Sequence, residues 1–178
     1  MAQPRTIIRH DHLSSYRRNQ AITPRRLSVA AAACVLVGGY VHFCLYEHGY
    51  RFIPKIGVSF LLQAVSSAVL AAALLVRGER MRLGQHSVAL AQLTRLSAIG
   101  LSLGTLAALG IAHTSGGLFQ FREMGLRPAP QTLVAIVAES LATLLLGVAM
   151  LQARATTYRE TMTAVAPSHT RQAARKAA

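Results

Sequence analysis

The sequence has little charge, few acidic residues, two cysteines and no tryptophan. Charged residues make up 14% of its 178 residues, hydrophobic residues make up 52%, and the mean hydropathy is +0.37. This composition is typical of integral membrane proteins. No soluble catalytic domain is apparent, and no nucleophile, glycine-rich phosphate loop or carboxylate pair stands out, so the sequence does not predict an enzyme.

The cysteines argue against a thiol-redox enzyme. Cys34 and Cys44 lie ten residues apart in one apolar run. On a helix that spacing is a rise of about 15 Å, which is too long for a disulfide. No CxxC motif is present, so a disulfide oxidoreductase is not expected.

Four apolar runs, 27–46, 56–76, 91–113 and 131–151, are each close to the roughly 20 residues that cross a bilayer as a helix. The sequence therefore predicts an all-α polytopic membrane protein with four transmembrane helices. The domain comprises 27–151. A basic tail, 1–26, precedes it, and a basic tail, 152–178, expected to be disordered, follows it.

The basic residues predict the orientation. The chain has 19 Lys and Arg against 6 Asp and Glu. The two tails and the middle loop (through Arg95) carry 15 of the basic residues, and the other two loops carry four. Basic residues concentrate on the cytoplasmic side, so both termini are predicted to be cytoplasmic in a bacterial plasma membrane. The arginines flank apolar runs, which argues against nucleic-acid binding and favours anionic lipids at the cytoplasmic face.

An internal repeat relates the two halves. The pattern E-x-G-x-R-x-x-P begins at Glu47 and again at Glu123, an offset of 76 residues. The same offset aligns Gln63 with Glu139, the most polar residue of each following apolar run. We therefore expect two duplicated hairpins, with Gln63 and Glu139 at equal depth across a pseudo-two-fold axis along the membrane normal.

The repeated motif itself pairs opposite charges. Glu47 and Arg51, like Glu123 and Arg127, have i,i+4 spacing, which places side chains next to each other on a helical turn. We interpret both pairs as structural caps on the outer turns. A recognition surface for an outer partner is the alternative.

Glu139 is the main candidate site, together with Gln63. A carboxylate near the bilayer midplane is costly, and such residues usually have a function. It could carry a proton or bind a cationic solute. Alternatively, it could only hydrogen-bond a neighbouring helix.

His42 and His113 form a second candidate site towards the outer side. Two histidines facing each other across a four-helix bundle could ligate haem or a metal. The sequence lacks close His or Cys spacing, so no cofactor is predicted outright. A haem- or quinone-binding redox subunit remains an alternative.

Small residues mark two helix faces. The third run contains a GxxxG pattern at Gly100 and Gly104, and the second run has alanines at the same spacing. Such faces let helices approach closely in lipid. We expect them to pack within the bundle, with dimerisation as the alternative.

The run His42-Phe43-Cys44-Leu45-Tyr46-Glu47-His48-Gly49-Tyr50-Arg51-Phe52-Ile53-Pro54, followed by Gly57 and Phe60-Leu61-Leu62, resembles small four-helix integral membrane proteins of high-GC Gram-positive bacteria. Gly117-Leu118-Phe119 and 130–139 resemble their second half. The likeness covers about 27–151 and implies a fold but no activity. In topology the chain is also similar to DoxX-like membrane proteins. Small multidrug exporters carry their essential Glu in the first helix, where this chain has no carboxylate before Glu47.

The sequence favours a non-enzymatic accessory or scaffold subunit with a membrane-protein partner or a second copy. A small-solute or proton-coupled transporter using Glu139 is the first alternative. The redox subunit is the second.

Overall fold

The computed structural model describes residues 23–80, 84–126 and 128–176, with side chains for 23–76, 89–126, 128–159 and 161–162. In this part of the chain four helices account for most of the residues. They are α1 (Pro24–Glu47), α2 (Ile56–Arg80), α3 (Gly84–Ala112) and α4 (Gln131–Lys176), and a 3-10 turn, Tyr50–Phe52, lies between α1 and α2.

Every helix contains a segment long and apolar enough to cross a membrane. These segments are Pro24–Glu47, Ile56–Val76, Ala89–Ala112 and Gln131–Arg159. The predicted all-helical fold, with four helices of membrane-spanning length and hydropathy, is therefore confirmed. The described residues form no strand, only an isolated bridge between Leu118 and Phe121.

Local signals in the sequence set the ends of α1. Thr23 is the N-cap, and its hydroxyl accepts a hydrogen bond from the Arg26 backbone N–H at 3.5 Å. Pro24 takes the first helical position, where its missing N–H costs nothing. At the other end the His48 N–H bonds to the Cys44 carbonyl, and Gly49 follows with a φ of +128°. A positive φ is accessible to glycine at no steric cost, so the chain turns here.

Helix α1 lies at the centre of the bundle and packs extensively against α2 and α4, whereas α3 has smaller contacts with its neighbours. The main core cluster is rich in alanine: Ala31, Ala32, Val35, Ala71, Leu74, Ala98, Ala142 and Leu146. Lipid is as apolar as these side chains, so helices in a membrane associate through close packing rather than the hydrophobic effect. Small side chains permit that packing.

Two adjacent glycines let α1 approach both neighbours. A Cβ on Gly39 would lie 2.5 Å from the Cβ of Ser67 on α2. A Cβ on Gly38 would lie 3.3 Å from the Cγ of Glu139 on α4. Glycine is thus required at position 39, because α1 and α2 lie too close together there for a Cβ. At position 38, glycine makes room for the carboxylate side chain of Glu139.

Two of the three interhelical connections, 48–55 and 113–130, meet at one end of the bundle, which we call the two-loop end. Tyr50 of the first connection bonds to Glu123 of the second. The second connection is anchored to α3, because the Glu123 N–H donates to the Ala112 carbonyl at 3.0 Å. The opposite end of the bundle contains the start of α1, the end of α2 and the start of α3. We call it the basic end.

Helix α4 is longer than the sequence analysis expects. The apolar run ends near Leu151, and 152–178 is predicted to be a disordered tail, yet the helix continues to Lys176. Most of 152–166 consists of residues that are tolerated well in helices, with several alanines and arginines. Extending an existing helix also avoids the cost of nucleating a new one. The predicted amino-terminal tail lies almost wholly outside the described residues.

The glycine at 39 gives a prediction about stability. Gly39→Ala forces apart α1 and α2 at Ser67, and overpacking of this kind costs about 1–3 kcal/mol. Thermal unfolding in detergent should therefore show a clear loss of stability. Gly104→Ala is the matched control, because no neighbouring heavy atom among the described residues lies within 4 Å of its new Cβ. Equal stability of the two variants would contradict the close approach.

Candidate functional site

The most buried ionisable side chain among the described residues is that of Glu139, which is 2% exposed. Its Oε1 lies 3.2 Å from Nε2 of His42 on α1 and 3.2 Å from Nε2 of Gln63 on α2. Three helices thus contribute one side chain each to a compact polar cluster. The two residues aligned by the internal repeat, Gln63 and Glu139, are in direct contact.

The contacts define the hydrogen-bonding roles in this cluster. Oε1 of Glu139 accepts from the Gln63 amide, which can only donate through its nitrogen. An ionised carboxylate oxygen only accepts, so with Glu139 ionised the proton of this contact lies on His42 Nε2. The other ring nitrogen, His42 Nδ1, is buried and has no hydrogen-bond partner among the described residues. A buried polar atom of this kind is costly unless a ligand or water meets it.

A cavity of about 80 Å³ lies next to the cluster and extends towards the two-loop end. His42 and Glu139 line its deep part, and apolar side chains including Phe60 and Ile136 line most of its wall. The Phe60 ring stands edge-on to the His42 ring, with 5.1 Å between centroids. The unpartnered nitrogen therefore belongs to a residue that lines an internal space.

The size of the cavity limits what it can hold. One water takes up about 30 Å³ in the liquid, so the volume suits two or three waters. Ligand pockets for metabolites usually measure about 300–1,000 Å³. The cavity as it stands therefore fits water or a very small solute. Thr105 and Thr132 also line it and offer hydroxyl oxygens.

Tyr50 and Glu123 define the mouth of the cavity. The Tyr50 hydroxyl donates to Glu123 Oε1 at 2.9 Å. Its ring stacks on Phe60 and meets Phe121 edge-on, with centroid distances of 4.8 and 5.9 Å. Burial, followed by the bond to Glu123, raises the pKa of Tyr50 well above its usual range. The phenol therefore stays protonated and keeps the two connections joined.

The predicted cap pairs have different outcomes. Glu47 and Arg51 are brought together, with Oε2 and Nη1 3.2 Å apart on an exposed surface. Glu123 lies in an irregular segment rather than a helical turn, and its carboxylate meets Tyr50 instead. Arg127, its predicted partner, lies outside the described residues.

His42 and His113 do not share a site. His42 is buried against Glu139, whereas His113 is exposed at the end of α3. Nδ1 of His113 lies 2.8 Å from the Leu109 carbonyl oxygen, and its Nε2 lies 2.9 Å from that of Gly125. Both ring nitrogens of His113 thus face backbone acceptors. Across the described ranges, no three His, Cys, Asp or Glu residues converge as a group that could hold a metal.

Sequence reasoning missed the part of His42 in the Glu139 cluster and the part of Tyr50 at the cavity mouth. A signal for the first was present. Gly38 and Gly39 precede His42 by one helical turn, and adjacent glycines in a transmembrane helix indicate close approach by neighbours. No pattern in the sequence indicates that Tyr50 would reach Glu123, which is 73 residues away.

Comparison with known proteins adds no relatives to this picture. No protein-family model matches the chain, and no curated protein or solved structure matches it significantly. The functional argument therefore depends on the geometry of this chain alone.

His113 gives a prediction about pH. Hydrogen bonds to the Leu109 and Gly125 carbonyls raise its pKa above 6.5, because only the protonated ring can donate to both. A raised folded-state pKa adds stability that is fully present below the unfolded value, about 6.5, and is lost as the pH rises through the folded value. His113→Gln should therefore lower the unfolding temperature most at acidic pH and least at alkaline pH.

The control for this prediction is His48→Gln, which alters an exposed histidine at the same end of the bundle. A difference between wild type and His113→Gln that does not change with pH would contradict the proposed double donation.

Proposed function

We propose that the chain is a proton-coupled transporter of a small solute in the bacterial plasma membrane, and that Glu139 carries the coupled proton. The observation that supports this most directly is the position of Glu139. It is a buried carboxylate in contact with His42, beside a cavity that extends to one end of the bundle.

The proton argument begins with the cost of charge. A net charge in a low-dielectric interior is unfavourable, so a buried pair is most stable when its charges cancel. The pair of Glu139 and His42 has no net charge when it holds one ionisable proton. This proton lies either on the free carboxyl oxygen of Glu139 or on Nδ1 of His42. In one arrangement Nδ1 accepts a hydrogen bond, and in the other it donates one. Moving this proton changes what the cavity wall can bind, which is what coupling requires.

Hydration supplies a route to this proton. The cavity has room for two or three waters at about 30 Å³ each. His42 Nδ1, the Glu139 carboxylate and the threonine hydroxyls provide the polar partners that buried water needs. We infer that protons reach Glu139 through this water from the two-loop end.

Orientation follows from charge. Of the basic residues, 15 are in the tails and the middle loop, and these segments adjoin the basic end. We propose that both termini are cytoplasmic and that the two-loop end is outside. The cavity then draws protons from the exterior. The proposed duplication of the hairpins explains why Gln63, the counterpart of Glu139, is the residue in contact with it.

The test is Glu139→Gln in reconstituted vesicles. An amide oxygen can replace Oε1 in both of its contacts, so the fold should persist while the proton site is lost. Infrared difference spectra between mildly acidic and mildly alkaline pH should show a protonated carboxyl band in the wild type and none in the variant. Proton-driven currents, measured in the presence of each of a panel of small solutes, should fall to background in the Glu139→Gln variant.

Glu47→Gln is the matched control, because it makes the same chemical change at an exposed carboxylate paired with Arg51. It should keep both the infrared band and the currents. If Glu139→Gln also keeps the band, Glu139 does not titrate. If it keeps the currents, Glu139 is not the coupling residue.

An accessory or scaffold subunit is the second candidate, and the open face of α3 favours it. The structure does not bear out packing of the GxxxG face within the bundle. A Cβ on Gly100 or Gly104 would meet no neighbouring heavy atom of the described residues within 4 Å. A second helix, from another membrane protein or another copy, could approach closely there.

The experiment for this candidate is Gly100→Leu with Gly104→Leu, followed by purification in mild detergent. The doubly substituted chain should keep the wild-type unfolding temperature, because the face is unoccupied in the bundle, and should lose its associated subunit. Gly147→Leu on α4, which is equally open, is the control. An unchanged complex would rule out this face as the interface.

The haem or quinone interpretation stays a prediction. It requires His113 to give up its contacts with two carbonyl oxygens and His42 to leave Glu139.

A further inference from the structure

The lining of the Glu139 cavity has few hydrogen-bond donors to offer a solute. Its polar residues are His42, Tyr50, Thr105, Glu123, Thr132 and Glu139, and the lining that the structure describes contains no lysine or arginine. Each hydroxyl among them already donates, that of Tyr50 to Glu123 and those of both threonines to backbone carbonyls. A solute that binds by accepting hydrogen bonds therefore finds no donor in these hydroxyls.

His42 adds an acceptor that has no partner. Its side chain is 8% exposed, and its Nε2 is in contact with Glu139. With the proton on Nε2, Nδ1 carries a lone pair, and this buried nitrogen has no hydrogen-bond partner among the described residues. An unmet acceptor in the interior is costly. Because His42 lines the cavity, the structure calls for a ligand that donates a hydrogen bond there.

Charge favours a cation in the same space. Glu139 lines the deep part of the cavity and Glu123 lines its mouth, and carboxylates only accept when ionised. The opposite end of the bundle has the reverse polarity. A second cavity at the basic end, of about 140 Å³, includes Arg25 and Arg95 in its lining and no carboxylate among the described residues. Of the two ends, the two-loop end is the one that suits a positively charged solute.

Size and ligand chemistry narrow the kind of cation. The cavity of about 80 Å³ holds the equivalent of two or three waters at about 30 Å³ each, which suits a solute of one or two heavy atoms. Alkali and alkaline-earth ions prefer oxygen ligands and leave an imidazole nitrogen unused. Across the described ranges, no three His, Cys, Asp or Glu residues converge as a metal site. An ammonium group remains, because it is small, positively charged and rich in N–H donors.

We propose that the solute of the Glu139 cavity is a small amine such as ammonia or methylamine, bound as its ammonium ion with one N–H donated to His42 Nδ1. This rests on the proposed function, because Glu139 supplies the coupled proton. Its carboxyl O–H bond breaks, an N–H bond forms on the amine, and the loaded site keeps no net charge. The amine and its proton leave together as one positive charge, which a proton-driven current registers.

The test measures binding by the full chain in neutral detergent, without transport. Isothermal calorimetry at neutral pH compares ammonium, methylammonium, potassium and tetramethylammonium chlorides. Potassium matches ammonium in charge and closely in size but donates no hydrogen bond, so it should bind about tenfold more weakly or less. Tetramethylammonium has five heavy atoms and no N–H, and it should not bind. Ammonium and methylammonium should each bind at one site per chain.

Nitrogen-15 NMR of histidine-labelled wild type locates the site without a substitution. The His42 Nδ1 signal, assigned by its absence in His42→Gln, should shift when ammonium is added and stay in place with potassium at the same ionic strength. The signals of His48 and His113, which do not line the cavity, serve as internal controls and should not move.

A variant at the mouth tests the part played by charge. Glu123→Gln should weaken ammonium binding several-fold, because it removes a negative charge while its amide oxygen can still accept from Tyr50. Glu47→Gln is the matched control. It removes the same charge at the same end of the bundle, from a residue that does not line the cavity.

Three outcomes would overturn the proposal. They are no binding of ammonium or methylammonium, equal binding of potassium, and ammonium binding that leaves the His42 Nδ1 signal unmoved. Equal losses in Glu47→Gln and Glu123→Gln would show only diffuse attraction to the acidic end and would also count against it.

The proposed function fails separately. Binding of ammonium at His42 with no proton-driven current in vesicles would establish the amine site and contradict transport. Currents with other solutes but no amine binding would support transport and overturn the amine as the solute.

Discussion

The position of Glu139 depends on the close approach of α1 to two neighbours at Gly38 and Gly39. Lipid provides no hydrophobic force to press helices together, so contact has to come from side chains small enough to let backbones meet. At Gly39 the separation leaves no space for a Cβ, and at Gly38 the space is occupied by the Glu139 side chain. One turn later, His42 is directed at the same carboxylate. The polar cluster is thus a consequence of how α1 packs.

Burial makes this cluster chemically unusual. In water, a histidine beside a glutamate would be a weak surface pair. Here both side chains are almost fully enclosed, so removing one partner leaves polar atoms of the other buried without a hydrogen bond, at a cost of about 1–3 kcal/mol. The Gln63 amide donates to the same oxygen, while His42 Nδ1 remains without a partner among the described residues. An arrangement that served only to join helices would have little reason to leave a buried nitrogen of a cavity-lining residue without a partner.

The sequence was informative where the controlling physics is local. Span length depends on hydropathy along the chain, so the bounds of the spanning segments agree with the predicted runs to within a few residues, except at the end of the fourth. The 76-residue offset predicts equal depth for Gln63 and Glu139, and the structure brings the two side chains into contact. The rotation of each helix about its axis depends on its neighbours instead. For that reason the sequence does not predict the contact between His42 and Glu139, and it favours packing for the GxxxG face of α3 that the structure leaves open. Tyr50 and Glu123 meet through loop geometry that no periodic pattern encodes.

The two cavities make the ends of the bundle chemically different. The cavity at the two-loop end is bordered by carboxylates, Glu139 at depth and Glu123 at the mouth, and the one at the basic end is lined by two arginines. The core between them is alanine-rich and closely packed around Ala31, Ala32 and Ala142. A continuous polar path through the bundle is therefore absent from the described structure, so a solute or proton that reached Glu139 from one side would need helix movement to leave on the other. The weaker packing of α3 against its neighbours makes α3 the helix whose displacement costs least. It also lines both cavities, through Thr105 in one and Arg95 in the other, so its movement would act on both at once.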